Sequence, residues 1–473
     1  MKRAIRHDAM RARNLALVLG ELSARGSLTR AALAEITGLT KTTVSKLVSD
    51  LIEAGLVTEA GPVRDGERGR PGVEVQVSGD RVAALGLEVN VDYLALRVVD
   101  LAHTVRLRRT QAVDNRGADP VEVIGSLRTM ALSAVDEAVD MGLRVVGGGL
   151  AVPGPVDATG TVYNAPNLGW REVPVAGLLD LPFPVRVENE ANLAALGELW
   201  FGTGLPDFVY VSGEIGIGAG VVVQGRLFRG THGFAGELGH VVVRPEGPPC
   251  RCGGRGCLER YAGQEALLAA AGITGPGDAH RPGSAHGPST AQGSSIGRGS
   301  NTAHGSGSAQ GSNTAHGPGI GQGSSTAQGP GTAEGPGTTE GPGSAHGPDT
   351  AQGLDVTAEA PAAGVRDLLA RLEAGDEAAL AACEQAGAAL GVALCSAVNL
   401  LDPDAIVLGG IYAPLFPWLA EPVTEALTTR LGRMRPTVPP VVVSRLGTEA
   451  AALGAAGQVI EQVIADPAAL LSG

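Results

Sequence analysis

Aromatic residues are scarce in this chain, with six phenylalanines, five tyrosines and three tryptophans among 473 residues. Its core must therefore be packed from Ala, Val, Leu and Ile, and the hydrophobic share of 44% is enough to build one. Cysteine is sparse as well. Five thiols in a reducing compartment are not read as a disulfide framework. There is no excess of positive charge: 36 Lys and Arg face 49 Asp and Glu, for a net charge of −13. That balance excludes wholesale binding to nucleic acid or to an anionic membrane, and leaves room for one small basic module on an acidic body. The opening run MKRAIRHDAM is followed by no apolar stretch, so it is not read as a signal peptide. No run approaches the roughly 18 apolar residues of a membrane span. The expectation is a cytoplasmic protein with no membrane partner.

Glycine, by contrast, is abundant, at 71 residues, about double the usual share. The excess lies in residues 275–354, where a six-residue theme recurs, as in SNTAHGPGIGQGSSTAQGPGTAEGPG. Such a segment has almost nothing to bury and cannot offset its own ordering entropy, so it is expected to be a disordered insert. No recurring aliphatic residue supports a hexapeptide β-helix. His280, His286, His304, His316 and His346 lie in this insert and read as repeat composition. Setting it aside leaves enough chain for a small head and a two-lobed body.

Residues 1–80 read as helices followed by a β-wing. In LTRAALAEITGLTKTTVSKLVSDLIEAGLV, Thr29 and Thr40 stand where helix N-caps are wanted. Leu28 with Leu33, and Leu39 with Val44, form hydrophobic staples, and Gly38 supplies the turn. Val44, Leu47, Val48, Leu51 and Ile52 fall on one face of the second helix. The other face begins Lys41, Thr42, Thr43, Ser45 and Lys46, side chains able to reach base edges and phosphates. Strands around Leu56–Thr58 and Val73–Val77 flank GPVRDGERGRPG, in which Arg64, Arg68 and Arg70 suit a wing touching phosphates or a minor groove. The polar helix face and the arginine wing together favour DNA binding over a solvated trihelical interaction module.

From Val82 onward, short Val/Leu/Ile strands alternate with Ala/Leu helices, the pattern of an α/β fold, and 449–465 reads as a last helix. The sharpest chemical signal is GELGHVVVRPEGPPCRCGGRGCLE. His240, Cys250, Cys252 and Cys257 offer one imidazole and three thiolates, a closed tetrahedral set that favours structural Zn2+. Cys383 and Cys395, set in an Ala/Leu/Val pattern, read as small buried apolar residues.

With VPGPVD at 152–157, PNLGW at 166–170, ENEAN at 188–192 and DPDAIVLGG at 402–410, this motif resembles the ROK family of repressors, open reading frames and sugar kinases. The head is similar to the family's repressor branch, xylose-type repressors included. The resemblance implies a winged helix-turn-helix joined to an actin-like, ribonuclease-H-type body. Its first lobe would span 82–200, its second 201–274 and 355–448, with residues 449–473 returning to the body. It further implies a sugar effector held by Asn167, Asn189, Glu190, Glu237, His240 and Glu259, operator DNA as partner, and a homodimer or homotetramer. Amides and carboxylates of this kind suit bidentate hydrogen bonding to a ring of hydroxyls.

Kinases of that family take the sugar proton with an Asp in an Asn-Asp-Ala-Asn context, where this chain has Glu190. Their Asp-x-Gly-Gly-Thr-Lys loop is replaced here by Glu88-Val89-Asn90-Val91-Asp92-Tyr93, and Gly-Thr-Gly-x-Gly by Glu214-Ile215-Gly216-Ile217-Gly218. A unit charge about 4 Å from a phosphate charge costs on the order of 4 kcal/mol at an effective dielectric of about 20. Asp92 and Glu214 are therefore expected to weaken ATP binding unless they point away. The reading is a sugar-responsive repressor without catalytic residues. An active sugar kinase with an accessory DNA-binding head, and a regulator worked by a partner protein, remain open alternatives.

Overall fold

In a computed structural model of the chain, residues 2–62, 73–214, 216–273 and 362–471 are described. Arg64, Arg68 and Arg70, Ile215 and the expected insert at 275–354 lie outside the described residues.

The head is a winged helix. A long helix, Lys2–Arg25, precedes the pair Arg30–Thr37 and Lys41–Glu53. The second helix starts where Thr29 Oγ1 accepts the Ala32 N–H at 3.1 Å and ends at Gly38, in the left-handed region at φ +68°. Thr40 Oγ1 does the same for Thr43 N–H at 3.2 Å. Val44, Leu47, Val48 and Leu51 are buried, and Ile52 is half-buried at the edge of the stripe. Strands Val57–Pro62 and Val73–Val77 pair antiparallel, and Leu28–Thr29 adds a third strand on the far side of Val73–Val77.

The body contains the same sheet twice. In the first lobe, Val82–Val89, Tyr93–Asp100 and Val105–Ala112 form an antiparallel meander. Arg144–Val152 then pairs parallel to the first strand, and Val185–Asn189 parallel to Arg144–Val152. In the second lobe, Phe208–Gly213, Ile217–Val223 and Arg226–Leu227 form the meander, with Ala405–Gly410 and Val441–Val443 as the parallel pair. Numbered within each lobe in chain order, both sheets run 3-2-1-4-5. This is the ribonuclease-H-type duplication expected from the sequence.

Two helices lie between the sheets. Glu190–Phe201 packs on Ile217–Val223 of the second lobe, and Ala450–Ala465 on Val82–Val89 and Arg144–Val152 of the first. They meet backbone to backbone. A Cβ on Gly454 would sit 1.8 Å from the Leu193 carbonyl oxygen, and one on Gly197 2.2 Å from that of Ala450. Only glycine permits this approach. Ala450–Ala465 also touches the head's first helix. Leu15, Val18, Leu19 and Leu22 of that helix belong to one continuous apolar core with Leu193, Leu453, Ile460 and Ile464. The head's core is thus continuous with the interlobe core.

One reading is corrected. The Glu377–Leu401 helix, with a mean hydropathy of 1.5 over an 18-residue window, is long and apolar enough to cross a membrane by length and composition, so the chain does hold such a run. Its Ala386, Leu390, Leu394 and Val398 are packed in the second lobe's core, as are Cys383 and Cys395. The helix is apolar because it is a core element wrapped by its own lobe.

Candidate functional site

A cleft of about 340 Å³ opens between the sheets. Asn167, Asn189, Glu190, Glu237, His240 and Glu259 all line it, although they come from four segments of the chain. Asn167 sits on the turn between strands Val162–Ala165 and Trp170–Val173. Glu237 and His240 flank the short turn Leu238–His240, and Glu259 opens the helix Glu259–Ala262.

Asn189 has a second duty. Its Oδ1 accepts the Ala191 and Asn192 N–H groups at 3.0 and 3.2 Å, capping the helix that begins at Glu190, and its Nδ2 donates to the Gly154 carbonyl at 3.0 Å. That engagement fixes where Glu190 enters the cleft. Asn192, one turn on and 3% exposed, donates to Glu188 Oε1 at 3.1 Å while its own Oδ1 has no partner among the described residues. It lines the same cleft but was not singled out from the sequence.

The Cys-rich loop forms one wall. The ligand atoms of His240, Cys250, Cys252 and Cys257 all lie within 4.8 Å of one another. Cys252 Sγ and Cys257 Sγ are 3.7 Å apart, and Cys250 Sγ stands 3.8 Å from His240 Nδ1. Thiolates held by arms of about 2.3 Å at a tetrahedral angle would be about 3.8 Å apart, so the donor set and its spacing fit a zinc ion. With Nδ1 turned to the thiols, His240 Nε2 lies 3.9 Å from Glu237 Oε2. The ring therefore connects the metal-type cluster to a cleft carboxylate.

Arg251, between two of the cysteines, donates to Asn167 Oδ1 at 3.0 Å and to both oxygens of Glu265 at 3.0 and 3.1 Å. This ties the loop across the cleft to Asn167 and leaves the Asn167 Nδ2 facing Gly216. A Cβ on Gly216 would lie 2.9 Å from Glu259 Oε2 and 3.3 Å from Asn167 Nδ2. Both atoms are ends of flexible side chains, so Gly216→Ala should fold normally and weaken cleft ligands by roughly tenfold, about 1.4 kcal/mol. Calorimetric titration checks this, and unchanged affinity would show that Glu259 and Asn167 are not both in use.

Beneath the cleft lies a smaller, acidic cavity lined by Glu88, Tyr93, Glu190, Tyr210, Ser212 and Glu214. Tyr93 donates to Glu88 Oε1 at 2.8 Å. Burial, then the Glu88 charge, pushes Glu190 up to about 8. Burial, then Glu190, Glu88 and Asp92, holds Glu214 well above the usual carboxylate range. Asp92, expected to face a phosphate, is paired instead with Arg116 at 2.7 Å, an ion pair the local sequence did not reveal. Glu88 and Glu190 take its place beside Glu214.

On the head, Lys41, Thr42, Ser45 and Lys46 are exposed at the start of the Lys41–Glu53 helix, and Thr43 is half-buried under its bond to Thr40.

The ROK family profile matches residues 84–292 and 351–462, more than half of the chain. The chain belongs to the ROK family. The MarR family profile matches residues 15–69, the head. The ROK chain is 35% identical over 268 residues to the xylose repressor of Caldicellulosiruptor bescii, covering 56% of this chain and 67% of that one. It is 34% identical over 259 residues to the xylose repressor of Bacillus subtilis, covering 54% and 67%. A shorter match, 41% over 138 residues, is to the glucokinase of Halalkalibacterium halodurans, covering 28% and 42%. Among solved structures, a ROK family transcriptional regulator described as a homolog of the E. coli MLC protein superposes with a TM-score of 0.66 at 21% identity, over 98% of this chain and all of that one. That likeness shows the shared fold.

Proposed function

We propose that this ROK protein is a sugar-responsive, DNA-binding transcriptional repressor whose body binds a sugar without phosphorylating it. The observation that carries the reading is the single core joining the head's first helix to the two helices between the lobes. A ligand that changes the angle between the lobes must move Ala450–Ala465 or Glu190–Phe201, and the head rests on the first of these. Named xylose repressors among the relatives support the same reading.

In this proposal the sugar is held by Asn167, Glu190, Glu237, His240 and Glu259, with Asn189 fixing the helix that carries Glu190. His240, Cys250, Cys252 and Cys257 hold a structural zinc, which orients the His240 ring so that Nε2 faces the cleft. Lys41, Thr42, Thr43, Ser45 and Lys46 enter the major groove of operator DNA, with Arg64, Arg68 and Arg70 on the wing. A homodimer or homotetramer in the cytoplasm binds a pseudo-palindromic operator, and sugar-driven closure changes the spacing of the heads. Sugar must bind the open and closed bodies with different affinity for this to work.

The acidic cavity argues against phosphoryl transfer. Glu88 and Glu214 stand in the segments that replace the family kinases' glycine-rich phosphate loops and meet Glu190, at the base position, in one small cavity, so a triphosphate there would face buried carboxyl side chains instead of glycine backbone N–H groups. A thermal-shift panel of sugars on zinc-loaded protein, with and without Mg-ATP and followed by operator gel shift, tests the reading. A sugar that stabilises the protein independently of ATP and alters DNA binding is expected. Sugar-dependent ADP production would instead make the protein a kinase with an accessory head, and operator binding with no sugar effect would point to a partner protein.

A further inference from the structure

Aromatic side chains are few in this chain and nearly all are used in packing. Among its fourteen, only Tyr163, Phe228 and Phe234 are exposed. Two of these three line the same cleft: Tyr163 is 54% and Phe234 53% exposed. An exposed aromatic ring keeps a large apolar area in water, so a pair at one opening is unlike scattered surface residues.

The two rings come from opposite lobes. Tyr163 stands on strand Val162–Ala165, whose Val162 and Ala165 are buried, so Tyr163 and Asn164 are turned outward, and both line the cleft. Phe234 lies on the second lobe's loop between strand Arg226–Leu227 and the turn Leu238–His240. Arg251, half-exposed, lines the cleft as well and is held by Glu265 and Asn167. The proposed monosaccharide contacts are amides, carboxylates and an imidazole, whereas these rings have nothing to offer a hydroxyl beyond the Tyr163 phenol. What they offer is a flat apolar surface. One face of a pyranose ring carries C–H groups and packs on an aromatic face. The cleft's 340 Å³ lies at the lower end of the range of about 300–1,000 Å³ that small-molecule sites span.

From the rarity of exposed aromatics and the presence of two of the three in one cleft, we propose a second glycosyl subsite formed by Tyr163 and Phe234, so that the effector is a disaccharide or longer glycoside rather than a free monosaccharide. The inference rests on the sugar-binding reading above and specifies the class of ligand. The inner unit meets the polar set and the outer unit lies against one ring from each lobe, so the second unit adds a contact that depends on lobe closure.

The test is calorimetric titration of the full-length, zinc-loaded protein with matched pairs: D-xylose and xylobiose, D-glucose and cellobiose, D-glucose and maltose, N-acetylglucosamine and chitobiose. At least one disaccharide is expected to bind tenfold or more tightly than its monosaccharide. Tyr163→Ala and Phe234→Ala should each reduce that preference threefold or more and leave the monosaccharide Kd within twofold. A monosaccharide that binds while every disaccharide binds equally or more weakly overturns the subsite and leaves the sugar-sensor reading standing. A disaccharide preference untouched by both variants also overturns it. Binding of neither class sinks the sugar-sensor reading and the subsite together.

Discussion

Replacing Glu449 with alanine should destabilise the body by about 3–5 kcal/mol, more than any substitution at the cleft. Glu449, 4% exposed, immediately precedes the Ala450–Ala465 helix. Its Oε1 accepts from Arg97 Nε at 2.7 Å and from Arg108 Nε at 3.2 Å. Arg97 is 1% exposed and also donates to the carbonyls of Leu96 and Arg109. Those carbonyls accept hydrogen bonds without neutralising the guanidinium, so deleting the carboxylate takes from a buried cation a charge partner that they do not replace. Because the pair tethers the start of the helix that contacts both head and body, the loss should appear in both. Urea unfolding monitored by circular dichroism measures it. The double variant Arg97→Leu/Glu449→Leu should recover at least half of the loss, since a hydrophobic pair avoids both desolvation penalties. A single-variant cost below about 1 kcal/mol would mean that the pair is relieved by water.

That ion pair also shows where sequence reading stops. The partners are 352 positions apart, and nothing local marks Arg97, set between Leu96 and Val98, as the partner of Glu449. Arg116 and Asp92 are hidden for the same reason. What was legible was local: Thr29 and Thr40 as caps, Gly38 as a left-handed terminus, the Val44-Leu47-Val48-Leu51 stripe, and four metal-type ligands within eighteen residues of each other. These depend on spacing along one element or one loop, and spacing is what a sequence prints. The six cleft residues were legible through the family motif, because a lone Asn or Glu carries no signal of its own. Tyr163 and Phe234 belong to no motif, and Arg251 lies inside the Cys-rich motif without being one of its ligands. Their meaning comes from which surface is left uncovered, and that is decided only when both lobes are in place. The Glu377–Leu401 helix was overlooked as an apolar run because Glu377, Glu384 and its glycines interrupt it, while alanines carry its mean hydropathy.

Glu190 should make the protein less stable as pH rises, and Glu190→Gln should abolish much of that fall. The ordinary value for this carboxyl is 4.5, and in the folded protein it is pushed up to about 8, by burial first and by Glu88 second. Between those values the folded chain holds a proton that the unfolded chain has released. Its stabilising contribution is therefore full below pH 4.5, declines as pH rises towards 8 and is level beyond. At about 1.4 kcal/mol per unit, the decline is on the order of 3–5 kcal/mol, shared with Glu214, which is raised in the same direction by burial and by the Glu190 charge. His103, lowered by burial to about 4, acts with the opposite sign below pH 6.5 and is common to both proteins, so the comparison between them cancels it. Denaturant midpoints measured from pH 5 to pH 8.5 should fall steeply for the parent and gently for the variant, the two differing most at the alkaline end. Parallel curves would sink the idea and place the Glu190 carboxyl in water. The same shift bears on chemistry. A carboxyl raised this far by burial can, in its protonated form, donate to a sugar hydroxyl as well as accept from one. Glu190→Gln should accordingly retain sugar binding within about threefold at pH 7, because the amide keeps a donor and an acceptor in place.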